Sequence, residues 1–428
     1  MIIFLILATL LVLLFTGVPI FAGLTIYGGA MLYMFEGGLG GISGVIFNQV
    51  NEYLLVAIPL FGFMAHIMIK GRVVDDIYDT AYTFTRHLPG GLAIATILAC
   101  TLFAAISGSS VATALTIGAV AIPQMLRFGY DERLAYGVVA AGGTLGILIP
   151  PSAPMILYGV STDTSIGKLF MGGIVPGILM AGVFILWASF RASRAPNMTR
   201  EKMAGLTEMG QALQKSAWAG TLPVFVLGGM YLGVFTATEA AAAGAWLALL
   251  ITVFIYRTVG LREIWEAAIE AAQLSGLLFM ILAGATVFSH VLTMMRVPQQ
   301  IVEAMTASGM GRIEFVLAMM ALIIVLGMFL ESIAIILITA PITLPAMIHL
   351  HIDPVWYGVL LVVNLEVAMI TPPVGMNLFT IQAITRAPMS RIIRGSFPYV
   401  LLMLLTLLLL VAVPQLVLFV ANNTVGVR

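Results

Sequence analysis

The sequence predicts an all-α polytopic membrane protein built from two inverted-topology repeats. Three observations carry that expectation: the composition, a succession of long apolar stretches, and an internal repeat whose copies each cross the membrane an odd number of times. Of 428 residues, 61% are hydrophobic and 9% charged, where a soluble globular chain carries about a quarter charged. The 19 Lys and Arg balance 19 Asp and Glu without a basic run, which excludes a nucleic-acid footprint and a disordered chain. The single Cys100 excludes a disulfide framework and a cysteine-rich metal site. The hydrolase strings HExxH and GxSxG are absent, and neither a catalytic residue nor a bound cofactor is expected.

A spanning helix takes about 20 mostly apolar residues. Such stretches lie near 2–16, 19–35, 52–69, 88–106, 110–126, 134–160, 169–190, 217–235, 239–256, 274–292, 313–330, 333–348, 355–382 and 396–421. No Lys or Arg precedes the first and no small-residue cleavage site follows it, so it reads as a retained helix rather than a signal peptide. The polar stretch 191–216 divides the chain in half.

A shift of 222 positions aligns 107–179 with 329–401 without a gap. Ser110 meets Ser332, Pro123 meets Pro345, Asp131 meets Asp353, Pro150-Pro151 meets Pro372-Pro373, and Pro176 meets Pro398. A shift of 224 aligns His66, Arg72-Val73 and Ile77 with His290, Arg296-Val297 and Ile301. Each half holds three spans, a close helix pair (88–126 and 312–348) and two further spans. A hairpin enters and leaves on one side, so each unit crosses an odd number of times and its copy is inverted. With 191–216 placed inside, 15 of the 19 Lys and Arg fall in inside loops, the bias expected from the positive-inside rule. Both termini then lie outside.

Polar groups inside apolar runs are costly in a bilayer and therefore informative. Ser107-Gly108-Ser109-Ser110 separates the arms of the first hairpin; Gly327 to Ser332, with Glu331, is its counterpart. Small polar residues turn the chain and offer hydroxyls and free carbonyls, while a loop that merely reaches the far surface is the blander reading. Gly142 to Ser152 contains Pro150-Pro151, and its mate, Asn364 to Asn377, contains Pro372-Pro373. Prolines end helical hydrogen bonding over the preceding turn, and glycines let the backbone leave helical geometry. Both segments read as discontinuous helices near mid-membrane, where unwound carbonyls suit Na⁺ and half-helix N-termini suit a carboxylate. His66 and His290 read as interfacial anchors at span ends and Glu239 as a helix cap. Val73 to His87 suits either an amphipathic interfacial helix or a plain connecting loop.

The strings ISGSSVATA (106–114), GTLGILIPPS (143–152), YGVSTDTSIGKLF (158–170), GGIVPG (172–177) and ITPPVGMNLF (370–379) resemble the large membrane subunit of tripartite ATP-independent periplasmic (TRAP) transporters, DctM type. The resemblance covers essentially the whole chain. It implies a member of the ion transporter superfamily that works as an elevator, with hairpins and broken helices forming a mobile part that slides against a scaffold. It also implies Na⁺ as the coupling ion and a carboxylate substrate such as a C4-dicarboxylate or a sialic acid. A soluble periplasmic substrate-binding protein and a small four-helix membrane subunit, expected here as a separate chain, complete the system. The setting it implies is the bacterial inner membrane, with the lipid bilayer and no nucleic acid as surroundings. Repeat 1 then covers 1–190 (scaffold about 1–70, transport part about 88–190), 191–216 is a cytoplasmic linker, and repeat 2 covers 217–428 (scaffold about 217–292, transport part about 312–421).

Carried onto these positions, one Na⁺ falls at Ser107, Ser109 and Ser110 against Gly143, Thr144 and Gly146. A second falls at Gly327 and Ser332 against Asn364, Ala368 and Thr371. Substrate falls between them, near Ser152 and Asn377, with Pro151 and Pro373 bounding the half-helices. No Arg lies within either tip or break, so an arginine contact has to come from an edge residue. A standalone Na⁺/dicarboxylate symporter of the same superfamily is the competing reading. An intramembrane hydrolase using Ser109 or Ser110 lacks a His or Lys at hand, and a purely structural anchor leaves two polar, proline-broken elements without purpose.

Overall fold

A computed structural model describes residues 2–194 and 201–423; Arg200 and Arg428, both part of the charge count, and the rest of 195–200 lie outside the described residues. The first half runs α1 (Ile2–Phe15), α2 (Ile20–Glu36), α3 (Ile42–Val50), a 3₁₀ turn (Tyr53–Val56), α4 (Ala57–Lys70), α5 (Val73–Thr85), α6 (Gly91–Ser107), α7 (Ser110–Arg127), α8 (Glu132–Leu148), α9 (Ala153–Thr162) and α10 (Ile166–Ser193). The second half runs α11 (Leu206–Tyr231), α12 (Ala237–Leu250) with a π turn (Ile251–Ile255), α13 (Leu261–Met294), α14 (Val297–Ser308), α15 (Arg312–Gly327), α16 (Ser332–His349), α17 (Pro354–Met369), α18 (Met376–Thr385), α19 (Met389–Ala412) and α20 (Gln415–Asn422). Among the described residues, eight helical runs are long and apolar enough to cross a membrane.

The helices obey the same shifts as the sequence. Moving α7 by 222 lands on the bounds of α16, and α8, α9 and α10 land close to those of α17, α18 and α19. The arms α5 and α14 correspond, each entered through a left-handed arginine, Arg72 and Arg296, both at φ 56°. The third span differs between the halves: it is one long helix in α13 but is divided into α3, the 3₁₀ turn and α4 in the first repeat.

Several helices depart from the apolar stretches. Helices α11 and α13 begin at Leu206 and Leu261, ahead of 217 and 274. Their first turns are rich in Glu, Gln, Lys and Ala, which propagate a helix well but carry no hydropathy. The segment 191–216 is therefore helical at both ends rather than a plain linker. Val73 to His87 settles as a helix: Val73, Val74, Ile77, Tyr78 and Ala81 are buried while Asp75 and Asp79 face out. Glu239 closes a capping box with Thr236, accepting from its backbone N–H at 2.8 Å. His66 is more than an interfacial anchor, since its Nδ1 lies 3.0 Å from Glu270 of α13, and Lys70 joins the same carboxylate at 3.2 Å.

The core forms around α8 and α17. Leu134–Leu148 and Val355–Met369 are buried without interruption, and a helix apolar on every face is stable only when protein surrounds it. Asp353 caps α17 by accepting from Val355 N and Trp356 N, and the Trp356 indole donates to Leu410 O at 3.0 Å. The hairpin α6–α7 turns at Gly108 (φ 60°), where a Cβ would stand 2.6 Å from Pro151 O. The tip thus meets the break between α8 and α9. This meeting of tip and break is the arrangement a re-entrant hairpin gives.

Helix α8 crosses α19 in backbone contact: a Cβ on Gly137 would lie 2.2 Å from Gly395 O, and one on Gly395 would lie 2.3 Å from Arg133 O. Backbone atoms cannot yield as a side chain can. Gly137→Ala is expected to destabilise the protein by about 1–3 kcal/mol, read as a lowered Tm in detergent against Gly182→Ala, where nothing lies within 4 Å.

Candidate functional site

Two hairpin tips and two helix breaks meet inside the bundle. At the first tip, Ser109 caps α7 by accepting from Ala112 N at 3.4 Å. Ser107 Oγ lies 2.9 Å from Thr113 Oγ1, and Thr113 donates to Ser109 O at 2.8 Å, closing a small hydroxyl cluster. At the second tip, Glu331 caps α16, its carboxylate accepting from Ile333 N at 3.0 Å. In the first break, Ser152 caps α9 from Met155 N and donates to Ile147 O at 2.6 Å. In the second, Val374 N donates to Met328 O at 3.2 Å, tying break to tip.

These elements form one wall of a cavity of about 560 Å³. The first turns of α7, α9 and α16 line it through Ser109, Ser110, Ser152, Ala153, Glu331 and Ser332, and Met376 brings in the first turn of α18. The opposite wall is apolar: Pro19 at the N-cap of α2 and Phe21 within it, Phe61 and Gly62 of α4, and Leu274, Leu278 and Ile281 of α13. Among the described residues that line it, Glu331 is the one ionisable residue, and no Arg, Lys or His takes part. Helix N-termini bring N–H groups and the positive end of the macrodipole to this space, while Ser107, Ile147 and Met369 bring the C-terminal ends of α6, α8 and α17 to the same lining.

Among the residues singled out in the sequence, Ser107, Ser109, Ser110, Ser332, Ser152 and Pro151 line the cavity. Asn377 and Pro373 lie outside its lining; Asn377 is fully buried and donates to Ser110 Oγ at 2.8 Å and to Ala140 O at 3.3 Å, joining α18 of one repeat to α7 and α8 of the other. Gly143, Thr144 and Gly146 remain helical, because the chain leaves helical geometry only after Leu148. Those two glycines serve close approach instead: a Cβ on Gly143 would meet Ala114, and one on Gly146 would lie 2.5 Å from Ser109 O. Thr144 donates to Ala141 O within its own helix. Gly327 packs on Ala368, and Thr371 donates to Val367 O at 2.6 Å. Asn364 donates to Met320 O of α15 at 2.8 Å, and its Oδ1 is buried without a donor among the described residues.

Sequence reasoning missed Thr113, whose hydroxyl holds the first tip together, and the whole apolar wall on α2, α4 and α13. A polar residue in an apolar run is a signal, but Phe61 or Leu278 is one apolar residue among many. Glu366 is fully buried, and both its carboxylate oxygens lack hydrogen-bond partners among the described residues.

The family described as "Tripartite ATP-independent periplasmic transporter, DctM component" matches residues 7–416. The C4-dicarboxylate TRAP transporter large permease protein DctM of Pseudomonas aeruginosa is 40% identical over 377 residues, 88% of each chain. The isethionate TRAP transporter permease protein DctMQ of Oleidesulfovibrio alaskensis is 37% identical over 89% of this chain and 60% of its own length. In three dimensions, the crystal structure of the Alcanivorax borkumensis YdaH transporter aligns with a TM-score of 0.64 at 16% identity, covering 89% of this chain and 88% of that one, a likeness of fold. The chain belongs to the DctM family of tripartite ATP-independent periplasmic transporter large permeases.

Proposed function

We propose that this large permease imports an organic acid, driven by a Na⁺ gradient and dependent on a periplasmic substrate-binding protein, by sliding its hairpin and broken-helix bundle against the scaffold of α1–α4 and α11–α13. The observation that carries the carboxylate is the cavity, which has helix N-termini on its polar wall and no basic side chain. A C4-dicarboxylate agrees with the Pseudomonas relative's name, and a small membrane subunit agrees with the fused DctMQ name of the Oleidesulfovibrio relative. The smooth apolar wall of α4 and α13 supports sliding, since it offers the cavity no polar partner to break. The 191–216 segment faces the cytoplasm of a bacterial inner membrane, with both termini periplasmic, on the charge bias along the chain.

For Na⁺, the first tip supplies hydroxyls (Ser107, Thr113) and the Ser109 carbonyl beside Gly146. At the second, Asn364 Oδ1 is a buried acceptor without a donor, a state that costs free energy and that a cation relieves.

Proteoliposomes holding this chain and its small subunit are expected to take up radiolabelled C4-dicarboxylate only with an inward Na⁺ gradient and binding protein outside. Na⁺-dependent uptake without binding protein identifies a standalone symporter instead. Asn364→Ala removes one cation ligand and is expected to raise the half-saturating Na⁺ concentration by about tenfold, roughly 1.4 kcal/mol of binding. An unchanged Na⁺ curve removes Asn364 from the coupling site.

A further inference from the structure

Asn377 follows Met376, which lines the cavity, but is itself fully buried behind that lining. Its Nδ2 lies 2.8 Å from Ser110 Oγ and 3.3 Å from Ala140 O, and its Oδ1 has no donor among the described residues. A backbone carbonyl only accepts, so the atom facing Ala140 O is the amide nitrogen, and the surroundings fix the orientation of the carboxamide. Both amide protons are thereby committed, one to Ala140 O and one to Ser110 Oγ.

A serine hydroxyl has one proton and two lone pairs. At Ser110 one lone pair receives the Asn377 amide, so the hydroxyl proton cannot point back at Nδ2, and it has no acceptor among the described residues. Ser110 opens α7 and lines the cavity. Its neighbours are engaged elsewhere: Ser109 Oγ accepts from Ala112 N, and Thr113 donates to Ser109 O. The cavity is the space left for the Ser110 proton.

The internal repeat shows that the fold does not demand this amide. A shift of 222 carries Ser110 onto Ser332 and Met155 onto Asn377, and α9 packs on α16 as α18 packs on α7. Ser332 also lines the cavity, yet the residue related to Asn377 on its side is a methionine, with no amide to give. Stability does not demand it either. A buried carboxamide with an unpaired oxygen costs free energy that an apolar side chain of similar size does not.

We propose that Asn377 is a positioning residue for the cargo: by donating to Ser110 Oγ it holds the Ser110 hydroxyl as a donor aimed at a carboxylate of the transported acid, without touching the acid itself. This rests on the permease reading above. It divides the first tip by chemistry. Ser107, Thr113 and the Ser109 carbonyl present oxygens to a cation, whereas Ser110, with one lone pair occupied, presents a proton to an anion. Among the described residues that line the cavity none is basic, so one fixed hydroxyl donor counts for more there than on an open surface.

Ligand binding to the purified complex of this chain and its small subunit, in detergent and without binding protein, tests the assignment. The readouts are the rise in Tm with a carboxylic acid (succinate first) at saturating Na⁺ and the rise with Na⁺ alone. Ser110→Ala and Asn377→Leu are each expected to raise the half-saturating acid concentration about tenfold, the loss of one hydrogen bond to a charged group. The double variant is expected to raise it no further than either single one, because both remove the same donor. The curve for Na⁺ alone is expected to stay unchanged in all three. A merely structural Asn377 adds its effect to that of Ser110→Ala and shifts both curves, which overturns the proposal. So does an unchanged acid curve in either single variant, or a Na⁺ curve shifted by Ser110→Ala. If Asn377→Leu does not assemble, the smaller Asn377→Ala enters the same cycle, and Ser110→Ala decides by itself whether the donor exists. Native complex that neither binds nor takes up an acid overturns the permease reading and this inference together. Native binding beside an indifferent Ser110→Ala overturns this inference alone.

Discussion

In a bilayer, a backbone N–H or C=O released from a helix has no water to turn to, and each unpaired group costs several kcal/mol. Two proline-broken helices near mid-membrane are therefore tenable only where other protein supplies partners. Much of this architecture follows from that demand. Ser152 gives its hydroxyl to Ile147 O, and Met328 O of the second tip takes Val374 N of the second break. A hairpin that crossed the membrane would carry its turn past the break; a re-entrant one delivers its turn to it. Enclosure of α8 by α6, α7, α10 and α19, and of α17 by α10, α15 and α19, with each packed on the other, then explains why both are buried along their whole length. Asn377 extends the arrangement across the repeats, because its carboxamide reaches Ser110 and Ala140 of the other half.

The two repeats match in their elements but not in how their arms are held. Helix α5 lies against α6 and α11. Arg86 is bidentate to Glu208 at 2.6 and 2.7 Å and donates to Lys202 O at 3.0 Å, and Thr80 donates to Ala212 O at 2.9 Å. Its counterpart α14 packs on α13 and α16 instead. Exposed ion pairs contribute about 0–1 kcal/mol each, so this clamp positions α5 more than it stabilises the fold. Repeat symmetry in sequence thus coexists with asymmetry in packing.

The features legible in the sequence were those that break a pattern. Pro150-Pro151, Pro372-Pro373 and the serines at 107–110 stand out in apolar surroundings, and their spacing gave the repeat, the hairpins and the breaks. Features that continue a pattern were hidden. The beginnings of α11 and α13 are polar helix beyond the apolar run, and α3 is nine residues in a glycine-rich connection. Gly143 and Gly146 show the limit of residue type as a guide: glycine permits both unwinding and close packing, and here α7 approaches so closely that packing decides. The scaffold wall was invisible until partners were known, since Phe61, Leu274 and Leu278 differ in nothing but position from their apolar neighbours.

Charge placement completes the physical picture. The rim where α4 ends and α13 begins concentrates it: Lys70 with Glu266 and Glu270, and Arg262 with Glu266. The cavity carries one carboxylate, already engaged as a helix cap, and otherwise hydroxyls and helix ends. A fixed guanidinium would hold an anion strongly through a bidentate contact, whereas helix N-termini each offer only about half a charge. A site of this kind binds an acid weakly by itself and more strongly when a cation sits nearby, because in a low-dielectric interior the charge of that cation is little screened. Coupling then needs no dedicated transmitting residue. A cation held by hydroxyls and carbonyls of the tip, as proposed above, would border the space proposed for the acid, and each ligand would stabilise the other by direct attraction. Under the proposed function, the lack of a basic residue among the described residues of the cavity lining would make the acid's binding depend on the ion.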